Sequence, residues 1–458
     1  MAKEKSYFRE LAEYFYSYLF SDIDDATLHQ VKRSLVNYLG GSIYTASHQS
    51  CRELLELVRE LDPGNGEAYI WANQKPVTPM IAAFSNAARL SSIELNDGTK
   101  ASAHPGIYVW SSILATYQKN PATLSDVIRA VVFGYDVCTR MALLSIDRVR
   151  ELGLHNPGFV GGLGAVSAAG LLRGLDVDQL CNAFGMTAAL LPLCPFVSFV
   201  EGADTKDLYG GWGAYLAMFA LEAAQRGLTG PETILHGVKS LDTVFQGDEG
   251  KDVDPGNPYF INYLSIKEFP ACFAVNPAIK AALAIRRKNP FDIQQIESLL
   301  VDSYPYSYDL NKGVGENINQ TSSRLSLTHS VTAALIDGTV GPDSYAPERL
   351  ADSRYIELRQ KIDTSRHNEY GVGNAGRRAC IITITLKDGQ VLQEEFDATS
   401  SKKDTTDVML QQRFNDLTSG TLSQAQQDEL YAFTMNLEQQ QTLEPLLQLL
   451  RDIPVINN

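Results

Sequence analysis

The chain has little that would tie it to metals, disulfides, membranes or nucleic acid. Its six cysteines (Cys51, Cys138, Cys181, Cys194, Cys272 and Cys380) are scattered through 458 residues, and no two stand in C-x-x-C spacing. Reduced, mostly buried thiols in a cytoplasm are the expectation. No two histidines lie three to five residues apart, and there is no H-E-x-x-H, Walker loop or G-x-S-x-G elbow, so no metal is expected. The longest apolar stretches, near 161–172 and 187–200, are broken by Gly, Pro or polar residues well short of a membrane span. The opening MAKEKSYFRELAEYF lacks the apolar core and small-residue cleavage site of a signal peptide. Positive charge is scarce too: the formal net charge is -15, a surface that repels nucleic acid and anionic membranes. An anionic substrate would then need a local cationic pocket set against that field.

What is present is a well-buried globular composition, 44% hydrophobic and 20% charged, in a chain too long for one ordinary domain. The first half reads as helices. Leu28, Val31, Leu35, Tyr38 and Leu39 recur at helical spacing after a possible Asp24–Asp25 cap. Cys51, Leu54, Leu55, Val58 and Leu61 repeat the pattern, and Asp62-Pro63-Gly64 stops it. Further helical patterns cover 127–144, 158–174, 176–190 and 209–226, the last ending at Gly227. In 158–174 Gly and Ala dominate. No strand precedes that run, so it is not a dinucleotide loop; its small residues are expected to let helices pack closely.

The character changes after about Gly237. Residues 246–258 are polar and turn-rich, a linker or surface loop. Beyond lie a candidate strand at 296–304, a helix at 326–335, and strands at 379–386 and 390–396 joined by the hairpin turn Lys387-Asp388-Gly389. From about Leu410 the chain is helical again. The expected fold is mainly α: an all-helical domain from residues 1–265 and 405–458, with an α+β lid domain, 266–404, inserted between its halves.

The densest chemistry lies in residues 94–106. Glu94, Asp97, Thr99, Lys100 and His104 bring carboxylates, a hydroxyl, an ammonium and an imidazole close together. Pro105 biases His104 toward an extended conformation and is well placed to begin a helix. An imidazole at a helix N-terminus has its pKa lowered by the dipole, beside N–H groups that favour an anion. A base working near neutral pH needs such a setting. His155-Asn156-Pro157-Gly158 repeats the arrangement. Lys206, in Asp204-Thr205-Lys206-Asp207 ahead of a helix beginning near Tyr209, and Lys267, at the change of character, are candidate carboxylate ligands. Cys272 reads as a buried thiol before a nucleophile. Ser323, Arg324 and His329 are candidates to face the cleft from its other side. His29 falls inside an amphipathic helix, and His48, His236 and His367 in polar turns.

Taken in order, these segments resemble the MmgE/PrpD family, which includes 2-methylcitrate dehydratase, cis-aconitate decarboxylase and iminodisuccinate epimerase. The matching pieces are residues 94–106, Gly134-Tyr135-Asp136-Val137, His155-Asn156-Pro157-Gly158, residues 174–180, Asp204-Thr205-Lys206 before Gly210-Gly211-Trp212, Leu228-Thr229-Gly230-Pro231, and residues 267–272. The resemblance implies a helical domain with an α+β lid, a homodimer, and a cleft that acts on di- or tricarboxylic acids without metal or organic cofactor. It implies Asp97, His104, His155, Lys206 and Lys267 as site residues; the expected catalytic set is His104, His155, Asp97, Lys206 and Tyr209. Glu94, Lys100, Lys267, Cys272, Asn276 and Arg324 would contact substrate. Glu94 stands where other members carry an aspartate; Tyr209 and Asn276 stand where many carry histidine.

Those two departures remove imidazoles that could protonate a leaving hydroxyl. They shift weight from dehydration or decarboxylation toward simpler proton transfer, which brings a dicarboxylate epimerase or isomerase close behind a 2-methylcitrate dehydratase-like lyase, the leading expectation; a cis-aconitate decarboxylase-like enzyme is a further alternative. A carboxylate-binding protein on a degenerate scaffold is the reading from another class. Tight binding with no turnover at any pH would separate it.

Overall fold

A computed structural model describes residues 6–47, 52–62, 64–247, 259–370, 376–399 and 405–454. It is 62% helical, with eighteen α-helices among the described residues. The helices begin where side chains satisfy their free N–H groups. Asp24 accepts from Thr27 N at 2.7 Å ahead of helix Asp25–Ser47. Thr123 caps the long helix Leu124–Glu151, and Asp176 with Gln179 forms a reciprocal box before Val177–Ala189. Gly174 and Gly227 follow their helices at φ 68° and 85°, a conformation that costs glycine least.

The helix expected near Tyr209 begins earlier, at Thr205. Lys206 is therefore in its first turn rather than in a preceding loop. The physical reason is that its ammonium is anchored inside the protein, on the Ser91 carbonyl at 2.9 Å, which draws the first turn into the body. His48, Cys51 and most of the polar stretch 246–258 lie outside the described residues. Of the other turn histidines, His367 stacks on Tyr370 with ring centroids 3.8 Å apart. The described residues include no helix long and apolar enough to cross a membrane.

The small residues of 158–174 act mechanically. Helix Asn156–Leu172 packs between Leu124–Glu151 and Thr205–Gln225 at near backbone contact. A Cβ on Gly162 would lie 2.9 Å from the Gly213 carbonyl, and one on Gly164 would lie 2.6 Å from Cys138 Cβ. Packing this close leaves no room for a methyl group.

Two large hydrophobic cores result. One takes side chains from Phe8 to Ile266 and again from Leu410 to Ile453, so both ends of the chain contribute. Ala72 N donates to the Leu450 carbonyl at 3.0 Å, closing the C-terminal helix onto the body. The other runs from Phe269 to Leu392. It covers a four-stranded sheet in the order Ile362–Arg366, Ile296–Ser303, Ala379–Leu386, Val391–Asp397, with the first pair parallel and the rest antiparallel. Helix Asn276–Lys288 packs on this sheet and on helix Leu327–Asp337. The expected hairpin is present, with Gly389 at φ 87°. Strand Ile362–Arg366 was not expected: only Ile362 is buried, so this edge strand shows no apolar alternation. His329 corrects another expectation. It is buried in this second core, its Nε2 2.8 Å from the Ser344 carbonyl.

Candidate functional site

A two-residue ladder organises the site. Asp97–Gly98 pairs antiparallel with Ser265–Ile266, Asp97 opposite Ile266. That register carries the next residue, Lys267, into the turn that follows helix Pro79–Ser92. Glu94 there adopts φ 55°, and Ala101 and Ser102 farther along have φ 56° and 57°. Left-handed backbone at non-glycine residues is held only where surroundings over-determine it, and such strain gathers at functional sites.

The Glu94 carboxylate joins two ammoniums. Oε1 pairs with Lys206 Nζ, and Oε2 lies 2.5 Å from Lys267 Nζ. Both lysines are 1% exposed and Glu94 4%. Burial opposes the charge on Glu94, but the two ammoniums outweigh it and hold the carboxyl well below the ordinary range. Lys206 also sits over the Phe199 ring at 4.6 Å, and Lys267 over Phe273 at 5.1 Å. Breaking such a buried charge cluster by removing one member leaves an uncompensated charge.

His104 precedes helix Pro105–Lys119, as expected. The anion at that helix N-terminus is the protein's own: Asp97 Oδ1 accepts from Gly106 N at 3.0 Å, and Oδ2 accepts from the Tyr135 hydroxyl. A Cβ on residue 106 would lie 2.6 Å from Asp97 Oδ2, so this position needs glycine. Burial raises the Asp97 carboxyl to about 6, with the Tyr135 and Gly106 hydrogen bonds working against it. His104 Nδ1 lies 2.5 Å from the Asp97 carbonyl. A carbonyl only accepts, so Nδ1 carries the proton and Nε2 of the neutral ring presents a lone pair.

His155 is the mirror case. It caps helix Asn156–Leu172, its Nδ1 accepting from Gly158 N at 3.2 Å. The neutral ring therefore carries its proton on Nε2. Burial, followed by the charge of Lys267 for His104 and of Lys206 for His155, lowers both imidazoles to about 3. Two neutral rings of opposite tautomer thus share one electrostatic neighbourhood with two ammoniums. Tyr209 packs beside His155 with ring centroids 5.8 Å apart. Its hydroxyl donates to the Pro195 carbonyl at 2.8 Å and is equally close to Ser198 Oγ, and burial raises its pKa.

Of the other nominated residues, Lys100 lies over the Tyr263 ring at 4.2 Å. Cys272 is half-buried, its thiol pushed up by burial against the opposing charge of Lys267. Asn276 starts helix Asn276–Lys288 with Oδ1 buried and without a hydrogen-bond partner. Arg324 is fully buried, and its Nη1 donates to the Pro270 carbonyl at 2.8 Å. Sequence reasoning missed Tyr135, although Gly134-Tyr135-Asp136-Val137 had stood out as a segment. It also missed Arg413, whose Nη1 donates to the Lys267 carbonyl. Nothing local marks Arg413, since its partners are more than a hundred residues away. Among the described residues no group of three or more His, Cys, Asp or Glu side chains is arranged to hold a metal ion.

A mainly helical protein that sets two neutral imidazoles, one buried and one half-buried, beside a Lys–Glu–Lys bridge has the equipment of a general acid–base site. Its particular family follows from comparison with known proteins. Residues 9–254 match the MmgE/PrpD N-terminal domain and residues 269–439 the MmgE/PrpD C-terminal domain, so the chain belongs to the MmgE/PrpD family. That family includes enzymes such as dehydratases, and membership is consistent with an enzyme. No curated protein matches the chain.

Proposed function

We propose that this protein is a cofactor-free lyase that removes a proton alpha to a carboxylate of a small di- or tricarboxylic acid, in the manner of a 2-methylcitrate dehydratase. The observation that carries the reading is the pair of opposite tautomers. His104 Nε2 has the lone pair to take the proton, and His155 Nε2 carries an N–H donor for the group that leaves. As the carbon–hydrogen bond breaks, negative charge builds on the carboxylate oxygens as an enediolate. Lys206 and Lys267, oriented by Glu94, are the groups to stabilise it. His155, charged to the imidazolium once bound carboxylates offset the lysine charges, then gives its Nε2 proton to the departing hydroxyl and is left neutral. Tyr209 serves this step less well, because its proton is held on the Pro195 carbonyl.

An imidazole lowered to about 3 is a weak base. Bound carboxylates would oppose the lysine charges and bring it back toward the working range. The second reading, a dicarboxylate epimerase, draws on the same geometry: His155, as the imidazolium, would return a proton to the opposite face of the carbanion instead of to a leaving group, and end neutral. Tyr209 and Asn276, in place of family histidines, favour it.

Incubation with 2-methylcitrate, citrate, cis-aconitate and iminodisuccinate in deuterated water, followed by NMR, separates the two. Alkene formation supports the lyase, and deuterium entry without elimination supports the epimerase. No exchange or water loss with any acid, together with unchanged ligand affinity in His104→Ala, ends both.

We also infer that residues 266–404 form a lid over a helical body made of 1–265 and 405–458, a division supported by the two separate cores. A cytoplasmic homodimer is our working assembly. Sedimentation of the full chain at the monomer mass would refute it.

A further inference from the structure

Two guanidiniums reach the Glu94 turn from distant parts of the chain. Arg413, on helix Asp407–Thr418, donates through Nη1 to the Lys267 carbonyl. Its Nη2 donates to the Leu95 carbonyl at 3.3 Å and to Asn37 Oδ1 at 2.9 Å. Arg324, on the short turn Ser322–Leu325, donates through Nη1 to the Pro270 carbonyl at 2.8 Å and, at 3.4 Å, to the Ile93 carbonyl. Each arginine therefore ties one carbonyl flanking Glu94 to one carbonyl of residues 267–270. Among the described residues neither has a carboxylate within ion-pair distance.

The pattern has a physical reading. Glu94 interrupts the chain in left-handed conformation just after a helix end, so the carbonyls on either side of it lack helical partners. A guanidinium presents several donors in a fixed plane and can satisfy two separate carbonyls at once, where an ammonium acts as a point. The carbonyl end of a helix also favours a cation. Arg324 lies over the Tyr345 ring at 5.0 Å, and its own carbonyl accepts from Cys272 N at 3.0 Å.

We infer that Arg324 and Arg413 form a clamp that positions Glu94 against Lys267, each acting through these two residues and not on substrate directly. Arg324 lies in the segment that covers the sheet and Arg413 in the helical body. The clamp therefore sets the site only when the two cores are in register. The catalytic half of this inference rests on the proton-transfer reading above; the geometric half does not.

Crystal structures of Arg413→Met and Arg324→Met test it without a substrate. The Lys267 Nζ to Glu94 Oε2 separation, 2.5 Å in the parent, is expected to open beyond 4 Å in each variant. In parallel, carbon NMR of labelled glutamate carboxyls, with Glu94→Gln for assignment, is expected to show Glu94 titrating closer to the ordinary carboxylate range. Arg413→Lys and Arg324→Lys should show smaller shifts of the same sign, and they supply the measurement if the methionine variants do not fold. A folded methionine variant of each arginine with Lys267 in place and Glu94 titration unchanged overturns the clamp. With a turned-over acid in hand, kcat should fall on the order of 10- to 100-fold, as for ångström-scale misplacement of reacting groups. If no acid exchanges deuterium while the Glu94–Lys267 contact opens, the proton-transfer reading fails and the clamp stands.

Discussion

The starts of helices Pro105–Lys119 and Asn156–Leu172 share a motif, a histidine followed within three residues by proline and glycine, yet they hold their imidazoles in opposite ways. At the first, Asp97 takes the free N–H of Gly106, so the imidazole is left to donate to the Asp97 carbonyl. At the second, with no carboxylate at the cap, His155 itself accepts from Gly158 N. One carboxylate in the capping position decides which ring nitrogen is protonated. The lesson is that similar local sequence does not imply similar chemistry, because tautomer is fixed by the partner that remains unsatisfied.

The sharpest way to break the comparison is to remove each imidazole. His104→Gln should reduce deuterium exchange into the turned-over acid by on the order of 10²–10⁴-fold, the usual worth of a positioned general base. His155→Asn keeps a capping acceptor. It should therefore retain stability to within about 1 kcal/mol while losing elimination more than exchange. Equal losses of exchange and elimination in His155→Asn would contradict the assigned roles. Both are read from the same NMR time course, with thermal melting as the control.

A smaller effect appears in stability against pH. Both imidazoles are lowered from about 6.5 to about 3 in the folded protein. Below about 6.5 the unfolded chain takes up protons that the folded chain refuses. Their contribution is thus complete above that pH and is lost progressively toward 3. At pH 5 each should cost about 2 kcal/mol relative to neutral pH. Asp97 acts in the opposite sense: raised to about 6, it favours the folded state below the ordinary carboxylate range and loses that advantage as pH rises through 6. Urea unfolding at pH 7.5 and pH 5 measures the net. Replacing either histidine should flatten the loss by about 2 kcal/mol, and an unchanged slope would show the ring to be protonated or exposed.

The smallest effect is expected at Lys100, which lies four residues before His104 in sequence but sits over Tyr263. Lys100→Ala should cost about 0.5–1 kcal/mol of stability and change turnover less than about twofold, within what an exposed cation–π contact contributes. A large loss of activity would instead support the expected role of this lysine at the substrate.

Much of the site was legible because its residues carry chemical signatures at helix ends. His104 and His155 stand ahead of Pro-Gly helix starts, and Lys206 and Lys267 are basic residues in an acidic chain. The helices themselves were legible from apolar periodicity and capping residues. Strand Ile362–Arg366 was not, because an edge strand with one buried residue has no pattern to read. Arg413 and the hydroxyl of Tyr135 were not, because each becomes informative only when a distant backbone carbonyl or carboxylate arrives beside it.

The sequence by itself determined the helical class, the close-packing glycines and the identities of the titratable groups, since these follow from local spacing and side-chain chemistry. Only the tertiary structure decided their states. Burial and unlike neighbours within a few ångströms set which carboxyl stays charged, which imidazole nitrogen holds a proton and which lysines meet Glu94. Those interactions depend on distances in space that residue numbers do not encode.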